Sequence, residues 1–327
     1  MKPMNIITDV KFSESSMARL RALVAPGELH EVSTQDKERL RALVGTCEVA
    51  FLSGAVDPLF YGPESAVKWI HCNSAGLNQI AKAVVFEKGL LVSGGSGRSA
   101  PALAEHVFFF ILSHVYRVRE LLENQRNHRW DASRLASSES PSGKTLGIIG
   151  FGNTGKAVYE KAKAFGMKVI AYSNAPIPAE YPMELSLSRQ KGDSLYALLE
   201  RCDYLVVCTN LSDLTYHLLD EEAFSHVKKG CFLVNIGRGE VIEEKALVQA
   251  LRSNILSGAG LDVTEPEPLG HDSDLWDMDQ VMITPHFTPR MTNFEERCLD
   301  IFAENVSRYR LGSPLLNVLD KDDLFTK

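Results

Sequence analysis

The sequence predicts an α/β protein of two domains, each a parallel sheet doubly wound with helices. Three observations carry this. Short apolar runs of strand length alternate with amphipathic, helix-length stretches along most of the chain. The length of 327 residues suits about two domains of ordinary size. Between the two alternating halves lies a long helical stretch whose centre, Val107 to Leu112, is apolar nearly all round. Such a helix belongs between bodies, not on a surface, and it is read as the crossing from one domain to the other.

In the first hundred residues, 5–8 reads as a strand. Ser13 is placed to cap a helix running to Val24, which Ala25-Pro26-Gly27 ends. Ser33 or Thr34 is placed to cap a second helix, to Val44. Strands follow at 49–52 and 67–72, with a turn at Asp57-Pro58 between them. The hexapeptide Arg-Leu-Arg-Ala-Leu-Val occurs at 19–24 and again at 39–44. Nothing around it repeats, so it marks two similar amphipathic helices, not a repeat array. The small-residue segment Asn73-Ser74-Ala75-Gly76-Leu77 ends the 67–72 strand and is expected to open the next helix. Its backbone N–H groups would then face the carboxyl end of the sheet, where open α/β sheets bind ligands; a plain turn is the alternative. Residues 89–98 read as a strand with a glycine loop, and Ser99 with Pro101 starts the long helix, through Gln125.

The second half opens with a serine-rich surface loop, 133–142, before the apolar run 146–149. A strand at 168–172 is followed by the proline-rich, irregular 174–182. Asp193 is placed to cap a helix to Arg201. Strands at 204–209, 231–236, 257–263 and 281–284 then alternate with helices at 220–227 and 243–253. The stretch 293–311 is a last helix, with Phe294, Cys298, Ile301, Phe302, Val306 and Tyr309 apolar.

Composition sets the class. At 45% hydrophobic and 24% charged residues, the chain can bury a real core. Its net charge is −7 and its basic residues are scattered, which gives a nucleic acid nothing to grip. No signal peptide, transit peptide or membrane-length apolar span is read, so the expectation is a cytoplasmic protein with no membrane partner. The cysteines Cys47, Cys72, Cys202, Cys208, Cys231 and Cys298 have no paired spacing, and read as reduced core residues instead of disulfides or metal ligands.

The 146–149 strand runs straight into Gly150-Phe151-Gly152-Asn153-Thr154-Gly155, and a helix follows. In that context the three glycines serve a dinucleotide. Gly150 permits the tight turn, Gly152 lets the backbone approach a pyrophosphate, and Gly155 lets helix and strand pack closely. The anion rests on free N–H groups at the positive end of the helix.

Three later strand ends carry polar residues. Arg238, between Gly237 and Gly239, can grip a carboxylate with two parallel hydrogen bonds. Glu265 and Glu267 lie in a proline-rich loop, and His286 follows Thr284-Pro285. A histidine exchanges protons near neutral pH, and a carboxylate bonded to it orients it and favours its charged form. Singly, each could be a solvated loop residue. Together, an Arg, a Glu and a His past strands of one nucleotide-binding sheet describe an acid–base site. His106 and His114, on the long helix, read as packing residues or residues facing a cleft.

With these motifs in view, the chain resembles the D-isomer-specific 2-hydroxyacid dehydrogenases, of the glyoxylate/hydroxypyruvate reductase type. The resemblance rests on the glycine motif, on Asn235-Ile236-Gly237-Arg238-Gly239, on the segment from Gly260-Leu261-Asp262 to Glu267-Pro268-Leu269, on Leu275-Trp276, and on Thr284-Pro285-His286. It implies a flavodoxin-like substrate domain, 1–98 plus 292–327, and a Rossmann cofactor domain, 99–291, with a cleft between and hinges near 99–102 and 288–293. It implies Arg238 as substrate anchor, Glu267 as partner carboxylate and His286 as acid/base, with Ser74, Ala75 and Gly76 offering N–H groups to the substrate carboxylate. It implies a cofactor groove lined by Gly150, Phe151, Gly152, Asn153, Thr154, Gly155, Ser173, Asn174, Cys208, Asn210, Thr215, Ile236, Gly237 and Asp262, the last at the nicotinamide end. It also implies a homodimer, a small 2-oxo acid substrate, and no metal.

This chain departs from the family pattern in places. NAD users carry an Asp after the second strand, where this chain has Tyr172-Ser173-Asn174. Without that carboxylate the ribose 2′-hydroxyl loses its partner and a 2′-phosphate meets no repulsion, so the cofactor expectation leans to NADP over NAD. No arginine stands at 174; Arg189 or Lys191 could supply charge only if the proline-rich loop folds back. Asn210 sits where a proline is usual, and Thr288-Pro289 replaces a small pair after the histidine. A nucleotide-sensing corepressor on the same fold is the rival of a different class; the retained Arg, Glu and His argue against it. Formate dehydrogenases carry Gln at the position of Glu267, and a phosphoglycerate dehydrogenase with a regulatory domain would be expected to run well past Lys327.

Overall fold

Each half of the chain is built on strands buried on both faces, the signature of a parallel sheet covered by helices. The structure, a computed structural model, describes residues 3–54, 56–133, 138–288 and 291–327. Pro289 and part of the 133–142 loop therefore lie outside the described residues. The chain divides into two units, Met1–Ser99 with Ser212–Leu214 and Arg290–Lys327, and Ala100–Leu211 with Thr215–Pro289.

The first unit runs β1 (Ile6–Thr8), α1 (Glu14–Val24), β2 (Leu29–Glu31), α2 (Lys37–Val44), β3 (Val49–Leu52), β4 (Trp69–Cys72), α3 (Ala83–Glu87) and β5 (Leu91–Gly94). Its five strands are all parallel, in the order β2-β1-β3-β4-β5. Alternate strand residues feed two cores. Ile6, Val49, Phe51 and Trp69 pack with Leu299, Phe302 and Val306 on one face. Ile7, Ala50, Leu52, Ile70 and Cys72 pack with Leu40, Val44 and Val85 on the other.

The second unit runs α4 (Ala100–Val115), α5 (Val118–Arg126), β6 (Thr145–Ile149), α6 (Asn153–Ala164), β7 (Lys168–Ser173), β8 (Leu185–Ser188), α7 (Tyr196–Leu199), β9 (Tyr204–Val207), α8 (Glu221–Ser225), β10 (Cys231–Asn235), α9 (Glu244–Arg252), β11 (Leu256–Leu261) and β12 (Val281–Ile283). Its seven strands are also parallel, in the order β12-β11-β10-β9-β6-β7-β8. Leu146, Ile148, Val169, Val206 and Val234 share a core with Val107, Phe110 and Ile111 of α4 and Val158 of α6. The chain ends with α10 (Phe294–Leu311), whose Phe302 stacks on Phe51 at 4.3 Å in the first unit.

The two parallel-sheet domains are as the alternation predicts; several local readings need correction. The long helix is not continuous to Gln125: Arg117, at φ 48°, breaks it into α4 and α5. Neither Ser33 nor Thr34 caps α2; Asp36 does, accepting from the Arg39 N–H. Ser13 precedes α1, but its hydroxyl donates to Glu295 at 2.6 Å and caps none of the helix's backbone N–H groups. Asp193 does not cap a helix either; it accepts from the Ser188 N–H, and α7 starts only at Tyr196. Residues 73–77 do not open a helix, since α3 begins at Ala83. Strands β2 and β8 were not anticipated: both are short edge strands with partly exposed residues, so neither forms a clear apolar run.

Two buried histidines carry a pH consequence. His71 is fully buried beside Ser93, and burial with the Arg98 charge pulls its pKa down to about 3. His114 stacks on Phe232 at 4.1 Å, and burial pulls it down to about 4. Both are neutral when folded, while an unfolded chain protonates them below their ordinary 6.5. Stability present above that value is then lost as pH falls towards about 4. Urea unfolding followed across this range should show a falling midpoint, and His114→Gln should flatten part of the slope; an equal slope in parent and variant would refute the assignment.

Candidate active site

Strands β6 and β9 are neighbours whose successors lead to opposite sides of the sheet, so the crevice beyond their carboxyl ends is the topological switch point. The glycine loop occupies it. Gly150 has φ +94°, and a Cβ there would lie 2.8 Å from the Thr209 backbone. A Cβ on Gly155 would lie 2.2 Å from the Gly150 carbonyl oxygen. Side chains are thus excluded where α6 meets β6. At Gly152, by contrast, a Cβ would meet nothing within 4 Å, which leaves open space over the start of α6. Helix N-terminus, bare backbone and open space together fit the pyrophosphate of a nicotinamide dinucleotide.

The other residues expected to line the groove differ in what they do in the fold. The Phe151 side chain is buried against Tyr159 and Tyr181 and serves the core, leaving only its backbone for a ligand. Asn153 is exposed and Thr154 half-buried at the first turn of α6. Ser173 ends β7 and exposed Asn174 follows it. The Cys208 thiol donates to the Gly150 carbonyl at 3.1 Å, and burial raises its pKa to about 12, so it holds the loop without being a nucleophile. Thr215 Oγ1 donates to the Asn210 carbonyl at 2.7 Å, closing the loop after β9. The Ile236 N–H is taken by Val207 and that of Gly237 by the Asn235 side chain.

Asn235, buried at the end of β10, shapes the arginine loop from both sides. Its Oδ1 accepts from the Gly237 N–H and its Nδ2 donates to the Arg238 carbonyl, each at 3.0 Å. Arg238 Nη1 donates to the Gly237 carbonyl at 2.7 Å, while Nε and Nη2 have no protein acceptor among the described residues. Burial lowers the Arg238 pKa, and Glu240 and Glu267 act against that loss. Next along, a Cβ on Gly239 would sit 1.8 Å from the Thr264 carbonyl oxygen. That contact packs the arginine loop against the loop carrying the two glutamates.

The glutamates separate cleanly. Glu267 Oε1 lies 2.7 Å from His286 Nδ1. Glu265 Oε2 lies 2.7 Å from His217 Nε2, with the Tyr216 hydroxyl 3.5 Å from Oε1. His286, at φ 48°, occupies the left-handed region, and its backbone N–H is held by the Asp262 and Thr284 carbonyls. Its Nε2 has no partner among the described residues.

Asp262 is the buried group behind this histidine. Its Oδ1 accepts from the Thr284 hydroxyl at 2.6 Å and the Phe287 N–H at 2.9 Å; its Oδ2 accepts from the Thr288 hydroxyl at 2.8 Å. His106 of α4 completes the set, with Nδ1 3.1 Å from Thr288 Oγ1 and Nε2 3.3 Å from Thr284 Oγ1. The ring also stacks on Phe110, so His106 packs and orients here. In the other unit, Ser74, Ala75 and Gly76 follow β4, and their N–H groups have no partner among the described residues. Sequence reasoning did not find His217 or Thr288 in these networks, because their partners, Glu265 and Asp262, lie far off in the chain and no spacing announces them. Asn235 stood in a motif, but its two local bonds to Gly237 and Arg238 were not read.

Among the described residues, no group of three or more His, Cys, Asp or Glu is placed to hold a metal ion, and no helix is long and apolar enough to cross a membrane. Gly239→Ala tests the loop packing. The added methyl forces the arginine and glutamate loops apart, so turnover should fall at least tenfold with the fold intact by circular dichroism. Parental turnover would show that the contact positions nothing.

Comparison with known proteins gives the same answer. Residues 108–288 match the NAD binding domain of the D-isomer specific 2-hydroxyacid dehydrogenases. The chain is similar to glyoxylate reductase of Thermococcus onnurineus, 29% identical over 95% of this chain and 94% of that one. It is also similar to D-3-phosphoglycerate dehydrogenase of Mycobacterium leprae, 30% identical over 93% of this chain but only 56% of that protein. Among solved structures, a probable 2-hydroxyacid dehydrogenase of Rhizobium etli, in complex with NADP, HEPES and L(+)-tartaric acid, superposes with a TM-score of 0.79 at 25% identity, covering 98% of this chain and 99% of that one. The chain belongs to the D-isomer specific 2-hydroxyacid dehydrogenases, enzymes that work with NAD or NADP.

Proposed function

We propose that this enzyme reduces a small 2-oxo acid of the glyoxylate or hydroxypyruvate class to the D-2-hydroxy acid. The observation that carries the reading is the His286–Glu267 pair at 2.7 Å, in the same set of strand-end loops as a half-buried Arg238. The dinucleotide supplies a hydride when bound. Arg238, with Nε and Nη2 unengaged, grips the substrate carboxylate by two parallel bonds. His286 gives its Nε2 proton to the carbonyl oxygen as that oxygen gains charge, and Glu267 on Nδ1 holds the ring and stabilises the imidazolium. In the first unit, the N–H groups of Ser74, Ala75 and Gly76 are suited to hold a carboxylate in their own right. The residues of the first unit thereby form the substrate domain, and those of the second the cofactor domain.

We also propose a homodimer formed through α4, α5 and the segment after them. Phe109, Tyr116, Leu121, Leu122 and Trp130 are exposed there, with Trp130 fully so. An apolar strip of this kind marks an association surface. Sedimentation should find a dimer that Leu122→Asp with Trp130→Asp converts to monomer; a monomeric parent at micromolar concentration would remove the proposal.

Turnover on a panel of glyoxylate, hydroxypyruvate, pyruvate and phenylpyruvate tests the substrate class. His286→Ala should lower kcat by about 10²–10⁴-fold while nucleotide binding survives. Glu267→Gln should lower kcat and leave nucleotide binding unchanged, since an amide does not stabilise an imidazolium. Retention of near-parental turnover by His286→Ala would end the acid–base assignment. Parental turnover in Glu267→Gln would make that carboxylate structural.

A further inference from the structure

The pairing of β8 with β7 is parallel and sets Ser188 beside Ser173. The next residues, Asn174 and Arg189, therefore leave the sheet side by side although they are far apart in sequence. Arg189 Nε donates to Asn174 Oδ1 at 2.8 Å. The Asn174 carbonyl accepts from the Ser188 hydroxyl at 3.0 Å and from the Gln190 N–H at 3.1 Å. These bonds fix the two strand ends as one corner, with Asn174, Arg189, Gln190 and Lys191 exposed.

The corner stands one strand along from the glycine loop, at the carboxyl end of β7. In a sheet of this order that is where the ribose next to adenine lies, and a residue there reads its 2′ position. The neighbouring carboxylate, Asp193, has its Oδ2 on the Ser188 N–H at 2.8 Å and is thus engaged with the end of β8. Burial raises the pKa of the Tyr172 phenol, with Arg189 acting against the rise and Asp193 with it, which places both charges near that strand end.

We propose that Arg189, steered by Asn174 and flanked by Ser173, grips the 2′-phosphate of NADP(H), making this chain an NADP(H)-preferring member of its family. The proposal rests on the reading of the glycine loop as the dinucleotide site. A guanidinium matches a phosphate with charge and paired donors, whereas a ribose hydroxyl gives it little to hold. The strand pairing presets where the arginine side chain begins, and its bond to Asn174 orients the head group before any ligand arrives.

Equilibrium binding decides it without turnover. NADPH, NADH, 2′,5′-ADP and ADP are titrated into the parent, Arg189→Ala and Arg189→Lys, following protein fluorescence. The parent should prefer NADPH over NADH, and 2′,5′-ADP over ADP, by about tenfold or more, with the preference shrinking as salt rises. Arg189→Ala should weaken the two phosphate-bearing ligands by roughly 10–100-fold and leave NADH within about threefold, with Arg189→Lys between. Equal parental affinity for the two ligands of each pair would overturn the proposal while sparing the dinucleotide site. Equal loss of NADPH and NADH in Arg189→Ala would reduce the arginine to a structural role and overturn it too. Failure of every nucleotide to bind the parent would overturn the site reading and, with it, this proposal.

Discussion

The candidate site depends first on a buried carboxylate that must be satisfied. Asp262 ends up in the interior, where an unpaired charge would be very costly, so every donor around it is drawn into place. Those donors are Thr284, Phe287 and Thr288, the residues flanking His286. The loop can satisfy Asp262 only by wrapping around it, and the wrap puts His286 in the left-handed region. Asp262 also follows directly on β11, which is hydrogen-bonded to β10 and β12. The sheet thus sets the carboxylate and the carboxylate sets the histidine. Orientation of this kind, fixed before substrate arrives, is what an acid–base step requires.

A second constraint acts from the side. Gly239 lets the arginine loop touch the Thr264 carbonyl, and the two glutamates beyond Thr264 then point to different histidines. Had Glu265 and Glu267 shared one partner, two carboxylates would compete for a single proton donor. Instead Glu265 is held by His217 and Tyr216, which tie the glutamate loop to the segment after β9. Glu267 is left for His286. Two similar residues, two apart in sequence, therefore do different work because the loops around them come from different strands.

These particulars mark where the sequence was legible. The glycine loop was readable because all its signals are local: an apolar run, three spaced glycines and a helix former. Arg238, Glu267 and His286 stood out because each follows a recognisable strand and matches a family motif, and the structure joins Glu267 to His286. The pairing of Asp193 with Ser188, by contrast, competes with a helix cap that the same residue type would serve equally well. Arg117 breaks the long helix without a glycine or proline to announce it. Strand β8 lacks an apolar run because it is an edge, covered on one side only. The contact between Asn174 and Arg189 depends on that strand, so it could not be read before the strand was known.

Charge brings these strands of argument together. The protein carries a formal −7, yet both molecules it must bind are anions, which a negative protein repels at long range. At physiological salt that repulsion fades beyond about 8 Å, so affinity is decided by groups in near contact. The groups the fold supplies are suited to that range. The start of α6 offers backbone N–H groups whose partial charge no titration can remove. Arg238 is half-buried, where a given charge acts more strongly than it would in open water, and Glu240 and Glu267 act against the lowering of its pKa by burial. Arg189 is exposed and more easily screened, but its bond to Asn174 reduces what must be ordered on binding. In the proposed reading, anion recognition comes from a few positive groups, each placed by a strand end, and not from the sum of charges over the surface.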